Sequence, residues 1–169
     1  TSIWSHFIIH SVEQILKKGA RVTIVSSDKD LMQLIRPDVK LYDPIKNKFL
    51  GIKEVKEKFG VEPDKVIDVQ SLAGDTSDNI PGVPGIGVKT AADLINKYKS
   101  LDQLLKKANE IPQKKRRQTI LENKDKAILS RELVKLKKNV PVTEAIESFS
   151  LKEINKEKLY NFLREMEFN

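Results

Sequence analysis

The sequence lacks several residue types and patterns that would define whole classes of protein. It contains no cysteine, which excludes disulfides, thiolate chemistry and zinc sites built on cysteine. No apolar run approaches the ~20 residues that cross a bilayer, and no signal peptide is visible. The balance of 33% charged and 39% hydrophobic residues is that of an ordinary globular chain. We therefore expect a cytoplasmic protein without a membrane partner and, because the chain starts at Thr1 and not at Met, a fragment of something longer.

The positive charge of the chain is concentrated in one segment. The formal net charge is +7, yet residues 106–138 alone contain twelve basic and four acidic side chains, a net charge of +8. Such a field attracts a polyanion, although a solvated helical face without a ligand is the simpler alternative. The segment contains no aromatic residue, which disfavours stacking on unpaired bases. Contact with a phosphate backbone is the better prediction, with Arg116 and Arg117 as candidates.

Hydrophobic periodicity predicts an α/β lobe over residues 1–72 and an all-helical lobe over residues 73–169. In the first lobe a helix ends at Gly19, a short buried strand of the parallel type covers residues 21–25, and a hairpin turns at residues 44–47. Apolar residues at intervals of three and four predict the remaining helices. These cover residues 28–35, 52–59, 63–72, 88–98, 101–107, 113–123, 125–135 and 155–168.

Two pairs of carboxylates occur in separate segments of the chain. Asp28 and Asp30 follow the predicted strand, at the sheet edge where α/β proteins bind ligands. Asp75 and Asp78 are three residues apart, so both can face the same side of a helical turn. Each pair taken alone is also explained by helix capping. Four acids gathered from two segments need cations, and hard oxygen ligands favour Mg²⁺ or Mn²⁺.

A glycine-rich turn comes directly after the second pair. Glycines allow positive φ and close approach of the backbone, and the helix that the turn opens offers outward-pointing amides to a phosphate. A nucleotide P-loop is disfavoured because its glycine and lysine spacing is absent. A tight helix–helix turn without a ligand remains the alternative. The candidate residues for holding a nucleic-acid backbone are Gly82, Val83, Gly85, Ile86, Gly87, Lys89 and Thr90.

Residues 26–34 and 72–92, with the helices that follow, carry a specific resemblance. The chain resembles the C-terminal part of the 5′–3′ exonuclease domain of bacterial DNA polymerase I, which is related to flap endonucleases of replication and repair. The resemblance implies an incomplete PIN-like parallel-sheet lobe followed by a helix-hairpin-helix lobe that grips duplex or flapped DNA. It also implies a two-metal site with Asp28, Asp30, Asp75 and Asp78 among its ligands, and a K⁺ ion at the hairpin.

The chain departs from the family pattern in its N-terminal part. Family members carry a preceding segment with further metal-site aspartates, and a Glu-x-Asp-Asp motif that falls here on Ile3, Trp4, Ser5 and His6, which include no carboxylate. We therefore expect the chain to bind duplex DNA and to cleave it poorly or not at all without a missing N-terminal nuclease segment or a polymerase domain. A non-catalytic helix-hairpin-helix DNA-binding module is the alternative. A helical protein whose basic face meets acidic proteins is a third reading.

Overall fold

The first helix leads into the sheet through a glycine stop. The structure, a computed structural model, describes residues 3–136, 148, 150 and 153–168, with side chains from position 8 onward. Helix α1 covers Ile3–Lys17 and buries Ile9 and Val12. It ends where Gly19 takes φ of +72°, a conformation that favours glycine. The amide of Gly19 donates to the carbonyl of Leu16 there.

Three strands form a mixed sheet in the order β1-β2-β3. Strand β1 (Val22–Val25) runs parallel to β2 (Val39–Asp43), and β3 (Lys48–Leu50) pairs antiparallel with β2. The parallel pairing and the hairpin are confirmed. The expectation of a buried first strand is wrong, because β1 lies at an edge of the described sheet with only Ile24 buried and Val25 65% exposed.

The hairpin between β2 and β3 is held by one buried carboxylate. Asp43 is 2% exposed. Its Oδ1 accepts from the Ser27 hydroxyl at 2.6 Å and from the amides of Ile45 and Lys46 at 3.0 and 3.2 Å. These hydrogen bonds, led by that of Ser27, hold the pKa of Asp43 below its ordinary value in spite of burial. Asp43 thereby ties the hairpin turn to the loop that follows β1.

The other regular elements of the described chain are helices, joined by loops and turns. Predicted and observed bounds coincide for the helices at residues 52–59 and 88–98, whereas the segment at residues 63–72 divides into a 3₁₀ turn (Pro63–Lys65) and an α-helix. Residues 29–34, predicted as a short helix, form a 3₁₀ helix. The remaining α-helices are α2 (Ile52–Phe59), α3 (Val66–Ala73), α4 (Val88–Tyr98), α5 (Leu101–Lys106), α6 (Lys114–Glu122), α7 (Lys124–Val134) and α8 (Lys156–Glu165), and a further 3₁₀ turn covers Ala108–Glu110.

Helix α3 is at the centre of the packing. Its Val66, Val69 and Leu72 are fully buried, and the helix packs against both α4 and α7. The buried apolar residues form one continuous cluster that extends from α1 and the sheet to α7. Gln33 joins the 3₁₀ helix after β1 to the end of α7 by donating to the carbonyl of Val134 at 3.3 Å. Among the residues that the structure describes, every helix is too short or too polar to cross a bilayer.

Candidate metal centre and nucleic-acid interface

The loop after β1 places the first carboxylate pair at two different depths. Asp28 is exposed and caps the 3₁₀ helix Lys29–Leu34, because its Oδ1 accepts from the amide of Asp30 at 2.9 Å. The amide of Asp28 donates to Ser26 Oγ at 3.0 Å, which fixes the start of the turn. Asp30 is half-buried. The capping alternative is therefore observed at Asp28, while Asp30 points to where the second pair lies.

The second pair lies in a loop that closes on itself. The backbones of Asp75 and Ile80 exchange two hydrogen bonds of 2.9 and 2.8 Å. Inside this loop the amide and the hydroxyl of Ser77 both donate to Asp75 Oδ1, at 3.1 and 2.6 Å. The Asp75 side chain is only 13% exposed, whereas that of Asp78 is 47% exposed. The loop therefore presents one fixed, half-buried carboxylate and one more exposed carboxylate.

Folding brings the two segments together. Asp30, Asp75 and Asp78 each offer an oxygen atom, and these three oxygens lie within 4.8 Å of one another. Asp28, the fourth residue predicted as a ligand, is not a member of this group. We call Asp30, Asp75 and Asp78 the acidic cluster. Its three hard oxygen ligands suit Mg²⁺ or Mn²⁺.

A lysine already supplies positive charge to the acidic cluster. Lys29 Nζ lies 2.5 Å from Asp75 Oδ2 and 3.3 Å from Asp78 Oδ2, and it also donates to the hydroxyl of Ser77. The hydrogen bond to Asp75 leads the interactions that raise the pKa of Lys29. Burial raises the pKa of Asp75, but hydrogen bonds from Lys29 and Ser77 outweigh it and hold that pKa below its ordinary value. The Lys29 ammonium thus balances part of the negative charge of the acidic cluster, as a bound cation would.

Asp30 has a different partner. Burial raises its pKa, and the hydrogen bond from Gln70 opposes this effect. Gln70 Nε2 donates to Asp30 Oδ1 at 3.2 Å, and Gln70 is 3% exposed. The other side-chain atom of the amide, Oε1, is buried without a hydrogen-bond partner. Gln70 Oε1 is thus a buried oxygen without a partner on a side chain that contacts Asp30. Together with the ammonium of Lys29, this oxygen fits a group of residues that binds a cation.

Part of the glycine-rich turn is structural. Gly82, Val83 and Ile86 are buried, and their amides donate within the protein: Gly82 to Ser130 Oγ at 2.9 Å, Val83 to the carbonyl of Leu72 at 2.7 Å, and Ile86 to the carbonyl of Val83 at 3.1 Å. A Cβ at Gly82 would lie 2.4 Å from the Gly74 nitrogen. Gly82 therefore ties the turn to α7 and Val83 ties it to α3, while Ile86 closes a hydrogen bond within the turn. All three stay predicted DNA contacts.

The outer part of the turn is open to a ligand. Gly85 and Gly87 are exposed, and a Cβ at either position meets no atom within 4 Å. Gly87 is the N-cap of α4, whose first amides have no acceptor inside the helix. Lys89 is exposed and Thr90 half-buried in that first turn. Anions are favoured at such an end of a helix.

One basic helix borders the same turn. Lys115, Arg116 and Thr119 of α6 line a surface pocket together with Gly85 and Ile86. Arg117 faces another way, because its Nη1 donates to the carbonyl of Ile111 at 3.1 Å. The two arginines that were predicted together therefore differ: Arg116 borders the turn, and Arg117 braces the start of its own helix.

The family follows from comparison with known proteins. Residues 61–157 match the family described as 5′-3′ exonuclease, C-terminal SAM fold. The chain belongs to the 5′-3′ exonuclease family. DNA polymerase I of Rhizobium leguminosarum is 55% identical over 150 residues, which cover 89% of this chain and 15% of that protein. The 5′-3′ exonuclease of Buchnera aphidicola subsp. Schizaphis graminum is 37% identical over 159 residues, which cover 90% of this chain and 55% of that protein.

The fold is also similar to that of a solved bacteriophage nuclease. The D15 flap endonuclease of bacteriophage T5, crystallised with DNA and metal ions, has a TM-score of 0.68 at 20% identity. The match covers 77% of this chain and 48% of that one. The chain thus spans about half the length of the exonucleases that it matches, and a smaller part of the DNA polymerases. The fold class inferred from the sequence is confirmed.

Sequence reasoning missed several residues of this exonuclease-family site. Lys29 lies between two aspartates, and nothing in the sequence indicates that its ammonium contacts the loop of residues 75–80, more than forty residues away. Gln70 and Ser130 occupy helical positions that look like any polar residue of a helix. Helical spacing offered a signal only for Ser130, because the buried Ala127 and Val134 lie three and four residues from it on the same face of α7. The missed residues are Lys29, Gln70, Ser77 and Ser130.

Proposed function

We propose that this chain is the DNA-gripping part of a metal-dependent 5′ nuclease domain. In this proposal the outer part of the glycine-rich turn binds duplex or flapped DNA, and the acidic cluster holds a divalent cation next to it. The observation that carries the proposal is the convergence of Asp30, Asp75 and Asp78 from segments forty-five residues apart. The 37% identical relative named as a 5′-3′ exonuclease supports the proposal, and so does the similar fold of a flap endonuclease crystallised with DNA and metal ions.

The acidic cluster would hold the cation through its carboxylates. When bound, a divalent cation supplies an activated water and stabilises charge on the phosphodiester oxygens. Asp75 is prepared for this role because Ser77 fixes its Oδ1 and leaves Oδ2 directed at the cluster. Asp30 is oriented by Gln70. Asp28 stays a candidate ligand at the rim, since its exposed side chain also caps the 3₁₀ helix.

The DNA contacts in this proposal are to the backbone and not to the bases. The first-turn amides of α4, the Lys89 ammonium and the Thr90 hydroxyl face a phosphate without reading sequence. Arg116 adds a charge from the other side of the pocket beside Gly85. Arg117 is a weaker candidate because its guanidinium is partly engaged with Ile111.

One observation favours the alternative of a non-catalytic DNA-binding module. Helix α1 carries no acidic residue in its first turn, where the family motif would supply carboxylates. Without carboxylates there, α1 would not help to hold a second ion, which two-metal chemistry on a phosphodiester would need. We therefore propose that this chain by itself binds duplex DNA and cleaves it slowly or not at all.

Cleavage by the chain is tested with a fluorescent 5′-flap duplex in Mg²⁺ or Mn²⁺. We expect little or no product from the chain alone. Asp38→Asn is the matched control for Asp75→Asn, because Asp38 is exposed and lies at the opposite end of the parallel strands from Asp28. Rapid turnover that Asp75→Asn abolishes and Asp38→Asn preserves would establish the chain as a complete nuclease and overturn the binding-only part of the proposal.

Duplex binding is tested by fluorescence anisotropy over a range of KCl concentrations. Lys89→Ala and Arg116→Ala should each weaken binding and reduce the log–log salt slope by about 0.9, the value for one lost phosphate contact. Lys53→Ala is the control, because Lys53 is an exposed lysine of α2 whose ammonium pairs with Glu57 at 3.9 Å. Equal effects of all three substitutions would mean that binding follows net charge and not the proposed interface.

A further inference from the structure

Lys29 carries the same sign of charge as the proposed metal and is in direct contact with the acidic cluster. Its ammonium contacts two of the three clustered carboxylates, Asp75 and Asp78, and the hydroxyl between them in sequence, that of Ser77. The Lys29 side chain is 30% exposed, so solvent can reach it and it has room to leave. This arrangement differs from a surface ion pair, because a single ammonium is shared by the oxygens that a cation would need.

The Lys29 ammonium lies at the oxygen atoms that a small divalent ion would use. The three oxygens of the acidic cluster lie within 4.8 Å of one another, and Lys29 Nζ lies 2.5 Å from Asp75 Oδ2 and 3.3 Å from Asp78 Oδ2. Mg²⁺ binds its oxygen ligands at about 2.1 Å. An ion held by Asp75 and Asp78 would therefore need the space that the ammonium fills.

We propose that Lys29 is a tethered counter-ion that a divalent metal must displace. This inference rests on the proposed metal site. Without metal, the ammonium offsets part of the negative charge of Asp75 and Asp78 and keeps the loop of residues 75–80 close to the end of β1. With metal, the ammonium leaves both carboxylates and becomes accessible to solvent. Lys29 is thus a positioning residue that lowers metal affinity while it holds the empty cluster together.

Metal affinity gives the first test. Mn²⁺ binding to the full chain is followed by the loss of the free-ion electron paramagnetic resonance signal. Lys29→Met keeps the length of the side chain and removes the charge, and we expect it to tighten the Mn²⁺ Kd by about tenfold, equivalent to about 1.4 kcal/mol. Lys29→Arg and the distant control Lys53→Met should stay close to the unsubstituted chain. Asp75→Asn should abolish binding.

Accessibility of the amine gives the second test, on the unsubstituted chain. Acetylation of lysines by an N-hydroxysuccinimide ester, read by peptide mass spectrometry, should be slow at Lys29 without metal and severalfold faster with saturating Mg²⁺. Lys53, whose side chain is 83% exposed, serves as the internal reference and should not respond. This measurement separates displacement of the ammonium from a general effect of its charge.

The outcomes separate this inference from the proposal on which it rests. Mn²⁺ bound with the same or weaker affinity by Lys29→Met, or tighter binding with no change in acetylation of Lys29, overturns displacement and leaves the metal site standing. No Mn²⁺ binding by any form, including Lys29→Met, overturns the metal site and this inference with it. Tighter binding together with faster acetylation supports both.

Discussion

The clearest prediction concerns three glycines of one turn that face three different surroundings. Gly82 has φ of +59°, and an added Cβ would lie 2.4 Å from the Gly74 nitrogen and 2.7 Å from the Ala73 carbonyl carbon. Gly85 has φ of +75°, with nothing near an added Cβ. Gly87 has an extended backbone with φ of −85° and is also open. Alanine at Gly82 therefore adds both backbone strain and a steric clash. Alanine at Gly85 adds backbone strain alone, and alanine at Gly87 adds neither.

The magnitudes follow from those differences. Alanine in the left-handed region costs about 1–2 kcal/mol, and forcing an extra methyl group into packed backbone costs a further 1–3 kcal/mol or so. Gly82→Ala should therefore lose about 2–5 kcal/mol, Gly85→Ala about 1 kcal/mol, and Gly87→Ala less than about 0.5 kcal/mol. A domain of this size loses about 2–4 °C of Tm per kcal/mol. The expected losses are on the order of 10 °C at Gly82 and 3 °C at Gly85.

Thermal and urea unfolding followed by far-UV circular dichroism measure the three effects. Gly87→Ala is the control for removal of a glycine, and Gly85→Ala is the control for positive φ without collision. If Gly82→Ala is as stable as Gly85→Ala, the close contact between Gly82 and Gly74 does not exist in solution. If Gly85→Ala is also as stable as Gly87→Ala, Gly85 does not have a positive φ in solution.

Two further predictions concern buried polar contacts. Ser130→Ala leaves the buried amide of Gly82 without its acceptor and should cost about 1–3 kcal/mol; an unchanged urea midpoint would contradict that bond. Asp43→Asn should lower the urea midpoint at neutral pH, because the hydrogen bond from Ser27 and two amides stabilise the charged form and hold its pKa below 3.8. A carboxyl whose pKa is lower in the folded state stabilises the fold at pH values above the pKa of the unfolded state. That stabilisation is lost as the pH falls through the pKa of the folded state. The deficit of Asp43→Asn should therefore shrink below about pH 4, and a deficit that is constant from pH 7 to acid would refute the assignment.

Local signals in the sequence predict most of the helices. The bounds of α2 and α4 agree with the prediction because glycines mark their ends: Gly51 and Gly87 are N-caps, and Gly60 ends α2 with φ of +70°. Burial of β1 was predicted wrongly because a run of β-branched residues occurs in edge strands as well as in central ones. Its position in the sheet depends on which strands pair with it, and four residues of sequence do not encode that.

The candidate site was predicted in part. The family motifs identify the carboxylates, and folding does gather Asp30, Asp75 and Asp78. Whether the other candidate residues join the site depends on the direction of their side chains, which the sequence does not give. Asp28 turns back to cap its own helix, and Arg117 turns to Ile111, although their sequence neighbours point to the cluster and to the pocket. The division at residues 72 and 73 stays a prediction, and the buried cluster that runs through both parts shows how closely they pack.

Two residues of the acidic cluster, Asp75 and Asp78, belong to the same hydrogen-bonded stretch of backbone as the glycine-rich turn. Asp75 and Ile80 are joined by two backbone hydrogen bonds, and Gly74 and Gly82 approach each other closely just outside that pair. Ser130 then fixes the amide of Gly82 to α7. These contacts fix both ends of the loop of residues 75–80. We therefore expect a phosphate bound at the outer turn to lie at a set distance from Asp75. A loose linker between the loop and the turn would lose that fixed distance.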